Sequence, residues 1–138
     1  MSSSVVRSAV WTKMDEWTDT RVIDLENTRD PAGTTLTPWA SVQFLLGTEE
    51  QICLADVGDR GWREEGSFQL LMAVPTYTGA SQCLTHMDNL RALFRVWSPA
   101  DMTIRKVHPA FAMIDHNELL GNWYILTALV SYYRDFYE

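Results

Sequence analysis

The chain has 138 residues, 46% of them hydrophobic and 21% charged, with a formal net charge of −7. That length and balance suit one domain with a real core. They exclude a surface built to hold nucleic-acid phosphates, because no run of Lys and Arg is present, and no apolar stretch approaches the ~20 residues that a membrane-crossing helix needs.

Residues 3–17 predict a helix. Val6, Val10, Met14 and Trp17 recur every third or fourth position, and Ser2, Ser3 or Ser4 is available as N-cap. The opening Met1-Ser2-Ser3-Ser4 lacks the basic region of a secretion signal, so synthesis in a reducing cytoplasm is expected. Residues 21–26, with Val22, Ile23 and Leu25, predict a short strand. Residues 27–37 predict a long loop, with Pro31 and Gly33 supplying turn chemistry. Loops of that length inside a small domain usually carry function.

Pro38 then opens a strand over residues 39–46. A turn is expected at Gly47-Thr48-Glu49-Glu50, a strand at 51–55, and a second turn at Gly58-Asp59-Arg60-Gly61. Residues 67–74 are apolar and free of Gly and Pro, which predicts a strand buried on at least one face. Pro75 removes a ladder donor and ends it. After Gly79, the stripe Cys83, Met87, Leu90, Phe94 and Trp97 predicts an amphipathic helix. A strand feeding a helix that packs back on its sheet forms the expected centre of the fold.

Ser98-Pro99 closes that helix. Residues 103–107 predict a short strand, broken at His108-Pro109 and continued by 111–114. A turn is expected across 115–122. Residues 123–133 form the longest strand candidate, apolar on both faces and hence central. Residues 134–138 are a tail with no assigned structure. The expected fold class is α+β: a mostly antiparallel sheet of five to six strands packed against two helices, in the order α-β-β-β-β-α-β-β, as a single domain over residues 1–138.

The sequence has no GxxxxGK[ST], GxGxxG, HExxH or GxSxG. His86 and Asp88 are two apart on a helix and point to different sides. His108, Asp115 and His116 lack the alternate-residue spacing of a metal site on adjacent strands. The pairs Glu49-Glu50 and Glu64-Glu65 are neighbours that face apart, so neither suits acid/base catalysis. Cys53 and Cys83 are expected to be buried free thiols. No catalytic residue, cofactor or metal is expected. Six Trp is a surplus for this size and suits an aromatic core, an interaction surface, or both.

Trp62-Arg63-x-x-Gly66, an apolar strand, Pro75-x-x-x-Gly79 and an amphipathic helix form one continuous pattern. It resembles the tail-terminator proteins of long-tailed bacteriophages. The opening helix, the loop leading into Pro38-Trp39, and the final strand beginning Trp123-Tyr124 resemble them too. Residues 98–121 and the chain end have no counterpart in that pattern. The resemblance implies a non-enzymatic virion protein. Such a protein forms a homo-oligomeric, typically hexameric, ring on the head-proximal end of the tail tube. It stops tube growth, docks the head–tail connector, and lets DNA pass through its lumen. An acidic chain suits such a channel, since like charge repels DNA. Arg29, Asp30, Trp39, Trp62 and Arg63 are the expected interface residues. Another connector or tube component, or a small ligand-binding module or enzyme, would be the alternatives.

Overall fold

A computed structural model describes residues 3–24, 37–54, 60–75, 79–99, 102–112 and 123–137. The elements in order are α1 (Ser4–Met14), β1 (Arg21–Val22), β2 (Trp39–Phe44), β3 (Thr48–Leu54), β4 (Arg60–Pro75), α2 (Ala80–Arg95), β5 (Thr103–Val107), β6 (Phe111–Ala112) and β7 (Trp123–Tyr137). The fold is α+β, with seven strands among the described residues in one open, mixed sheet.

The sheet is built on the antiparallel ladder between β4 and β7, which runs unbroken from Gly61 opposite Tyr137 to Pro75 opposite Trp123. On the outer side of β4 lie β2, against Phe68–Ala73, and then β3, against Arg60–Glu65. Both run antiparallel to β4, so β3 does not fold back on β2. It continues along the same edge after a kink at residues 45–47, where the Leu45 N–H still donates to Ser67 O at 3.0 Å. The outer side of β7 repeats the device. β5 pairs with residues 130–133 and β6 with 126–127. The kink between them, at His108-Pro109-Ala110, is held by the His108 N–H donating to Leu129 O at 2.8 Å. Among the described strands, only β1 is parallel to its neighbour, β2.

Four expectations are corrected. The turn expected at 47–50 is strand from Thr48, and of that expected at 58–61, residues 60 and 61 are strand while 58 and 59 lie outside the described residues. Glu49-Glu50 and Gly61 can be strand because cross-strand partners on β4 and β7 take up their backbone groups, a reward that local turn propensity does not include. The strand expected at 67–74 begins at residue 60, and the tail after residue 133 is strand to Tyr137, because these two polar segments pair with each other. The strand expected to resume after the break at His108-Pro109 does so at Phe111–Ala112, on the same edge of β7; residues 113 and 114 lie outside the described residues.

Alternation along the strands sorts the core. Even-numbered residues of β2, β4 and β7 (Ala40, Val42, Phe44; Phe68, Leu70, Met72, Val74; Leu126, Ala128, Val130, Tyr132) form one cluster with both helices. α1 contributes Val6, Val10 and Met14, and α2 contributes Cys83, Met87, Leu90 and Phe94, all fully buried. The Phe94 ring meets Phe68 and Trp97 edge-on at 5.5 and 5.6 Å between centroids. Odd-numbered residues Trp39, Leu71, Ala73, Trp123 and Ile125 form a second cluster on the other face, with Ile23 against it. The strand expected to be central and covered on both sides is therefore so over its first half. Gly79, at φ 109°, makes the turn into α2 that a side chain would strain. After Met14, α1 tightens into i→i+3 bonds, Glu16 to Lys13 and Trp17 to Met14.

Candidate assembly surface

The motif residues Trp62, Arg63 and Gly66 all lie in the first half of β4, where the sheet extends past the apolar core. Their partners on β7 are Phe136, Asp135 and Tyr132. Successive residues alternate between faces, so this segment presents two different surfaces.

On the face away from the helices, Arg63 forms a two-pronged pair with Asp135, Nε to Oδ1 at 2.7 Å and Nη2 to Oδ2 at 2.9 Å. Its guanidinium also lies over the Tyr133 ring, 4.7 Å from the centroid. Arg105 approaches the same ring at 5.0 Å and reaches Glu65 at 3.2 Å. The hydrogen bond to Asp135, with its charge, raises the Arg63 pKa. The same bond holds the Asp135 carboxyl below its ordinary range. These groups are solvated, and such pairs fix side-chain orientation more than they stabilise the fold.

On the helix face, Glu64 is buried. Its carboxylate accepts from the Ser3 backbone N–H at 3.1 Å and from the Tyr132 hydroxyl at 2.9 Å, and Arg134 stands 3.4 Å away. Ser3 is the N-cap residue of α1, but its hydroxyl makes no capping bond. An acidic side chain from a distant strand instead meets the positive end of the helix. Burial pushes the Glu64 pKa up; the hydrogen bonds from Ser3 and Tyr132 and the Arg134 charge outweigh it, and the net shift is downward. Gly66 makes this contact possible. A Cβ there would lie 2.8 Å from the Tyr132 hydroxyl oxygen and 3.3 Å from the Gly47 Cα. Further out, Glu49, Trp62, Arg134 and Phe136 line a shallow pocket of about 280 Å³. The Arg134 guanidinium lies 4.4 Å from the Phe136 centroid.

Two sheet edges next to this segment have no further strand among the described residues: the outer edge of β3 and that of β5. The first carries exposed Glu49, Glu50, Gln51 and Ile52. The second carries exposed Arg105 and Lys106.

Of the expected interface residues, Trp62 and Arg63 lie here, both partly exposed. Trp39 does not. It is fully buried against Trp123, with ring centroids 5.8 Å apart, and serves the second core cluster. A surface role for Trp39 is corrected to a core role, because an odd-numbered β2 residue opposite Ala73 falls on that apolar face. Arg29 and Asp30 lie outside the described residues. So do Asp115 and His116.

Two histidine candidates have structural surroundings. Asp88, near His86, pairs with Arg91 at 3.1 Å, and Arg91 Nε donates to the His108 carbonyl at 2.7 Å. Glu64 and Glu65 point to opposite faces, one to Tyr132 and the other to Arg105. Cys83 is a buried free thiol donating to Met72 O at 3.4 Å, and burial pushes its pKa up to about 11. The Cys53 side chain lies outside what the structure describes. Among the described residues, no three His, Cys, Asp or Glu side chains converge as a metal site would need, and no helix is long and apolar enough to cross a membrane.

Sequence reasoning missed the Glu64–Tyr132–Ser3 contact. The one available signal was Gly66 inside an otherwise regular strand, since such a glycine often marks a close approach. No protein-family model matches the chain, and no curated protein matches it.

Proposed function

We propose that this chain is a structural virion protein: a tail terminator that forms a ring on the head-proximal end of a phage tail tube. In this role it ends tube growth and offers the head–tail connector a docking surface. The partners are further copies of itself, the tube protein and the connector. DNA passes through the lumen without specific binding, for which a net charge of −7 is suitable. The proposal extends the resemblance carried by Trp62, Arg63, Gly66, Pro75 and Gly79.

The observation that favours assembly over a self-contained domain is the outer half of the β4–β7 ladder. It carries Trp62, Phe136 and Tyr137 beyond the core, with Tyr137 72% exposed. Aromatic and Arg side chains grouped at a sheet end are the composition of contact surfaces.

Purified chain should run as a ring-sized oligomer in size-exclusion chromatography with light scattering, or become one on meeting tail tubes. The double change Trp62→Ala and Arg63→Ala should weaken the ring and leave a folded monomer. In a phage carrying this gene, its deletion should give overlong tails or unattached heads. Loss of all tail tubes would instead point to a tube component, and a strict monomer that binds a small metabolite would overturn the assembly reading.

A further inference from the structure

We infer that copies of this chain join head to tail by pairing the outer edge of β3 on one copy with the outer edge of β5 on the next, so that one sheet continues into the other. This rests on the ring reading and names the contact that would build the ring.

An open strand edge presents unpaired N–H and C=O groups and templates another strand. Among the described residues, two such edges carry opposite charge. β3 offers Thr48-Glu49-Glu50, and β5 offers Thr103-Ile104-Arg105-Lys106. Register places Glu50 on the face of the basic pair and Glu49, opposite Glu64, on the other. Glu50 lies opposite Arg63, on the face away from the helices. Lys106 lies opposite Ser131, on that same face, and the irregularity between Ile104 and Lys106 puts Arg105 there too, over Tyr133. The other face of β5 shows Ile104 and Val107, which pack on the core.

Direction is also compatible. β3 is antiparallel to β4, β4 to β7, and β7 to β5, so β3 and β5 run oppositely within one sheet. A second copy set alongside as a continuation brings its β5 antiparallel to the first copy's β3.

The same charges select the mode of association. Two β3 edges would set Glu49 and Glu50 against their own copies, and two β5 edges would oppose Arg105 and Lys106. Like charges directly opposite are unfavourable on a sheet. Both symmetric pairings are penalised and the mixed one is favoured. A mixed contact leaves one free edge of each kind on every growing assembly, so it ends only by closing into a ring.

Charge reversal tests this on the full chain. Glu49→Lys with Glu50→Lys makes both edges basic, and Arg105→Glu with Lys106→Glu makes both acidic. Lys106→Glu alone leaves the Arg105–Glu65 contact in place and guards against a folding defect, which circular dichroism melts would reveal. Wild type should form a closed oligomer by light scattering, and each reversal should raise the dissociation constant by about 100-fold or more, the scale of like-charge juxtaposition at an interface. An equimolar mixture of the two reversed proteins should regain the wild-type mass, because each basic edge then meets an acidic one. A wild-type ring unaffected by reversal, or a mixture that stays dissociated, would overturn edge pairing and leave the ring reading standing. A wild type that stays monomeric in solution would overturn the edge pairing, and one that also stays monomeric with tail tubes would sink both.

Discussion

The two halves of the β4–β7 ladder use the same two strands and hold together by different physics. In the inner half, from Phe68 opposite Val130 to Pro75 opposite Trp123, both faces are apolar apart from Gln69 and Thr127, and nearly every side chain is buried. Burial dominates there, at roughly 25 cal/mol per Å² of apolar surface. In the outer half the opposed pairs are Trp62–Phe136, Arg63–Asp135, Glu64–Arg134 and Glu65–Tyr133. Charge pairs and rings stacked under guanidinium groups orient that segment, and one buried carboxylate ties it to the start of α1. A continuous ladder can thus have one end committed to the fold and the other free for contacts. The seam between them is Gly66 beneath Tyr132.

The largest effect should come from the inner half. Phe94→Ala removes a ring that touches Phe68 and Trp97 and should cost about 3–5 kcal/mol in urea unfolding. A smaller loss would mean that the helix layer contributes less than its burial implies.

At the seam, Glu64→Gln removes the charge shared by Ser3, Tyr132 and Arg134 and should cost about 1–3 kcal/mol near neutral pH. Because the folded pKa of Glu64 lies below its ordinary value of about 4.5, its contribution is complete above that value. It fades as pH falls through the lower folded value. The gap between wild type and variant should therefore close on acidification. A gap that widened instead would reverse the assigned sign.

Gly66→Ala should cost about 1–3 kcal/mol by forcing Tyr132 off Glu64. The cost should shrink in a Tyr132→Phe background, since the nearest clash is with the hydroxyl; equal costs in both backgrounds would place the strain at the ring carbon, 3.1 Å away, or at Gly47 instead. The smallest effect belongs to the outer face. Arg63→Ala should leave the melting temperature nearly unchanged, because its pair with Asp135 is solvated. A large drop would show that the outer ladder is part of the cooperative core.

Cys83 probes the inner half without mutation. With its pKa at about 11, the thiol should resist alkylation at pH 8 until denaturant exposes it. Prompt labelling at Cys83 itself, told from Cys53 by peptide mapping, would mean that α2 opens locally.

Local pattern was sufficient where burial is periodic. The stripe from Cys83 to Phe94 placed α2, Val6-Val10-Met14 placed α1, and β5 at residues 103–107 has the bounds that its sequence suggested. It failed where polar strand pairs with polar strand. Residues 60–66 and 134–137 have no apolar alternation, and each is strand because the other is there to pair with. The candidate surface was legible to the same degree. Trp62 and Arg63 could be marked because the core does not need them. Trp39 could not be sorted from them, because an aromatic at a strand start looks alike on either face until register assigns the face.

Sequence alone determined the fold class, both helices and the buried identity of the central strands, because hydrophobic period is written in the chain. Tertiary structure alone decided that β3 and β5 extend broken edges rather than fold back, that Glu64 caps a helix from a distant strand, and that acidic and basic edges lie on opposite sides of one sheet. Those are consequences of register between segments far apart in the chain, and no local propensity encodes them.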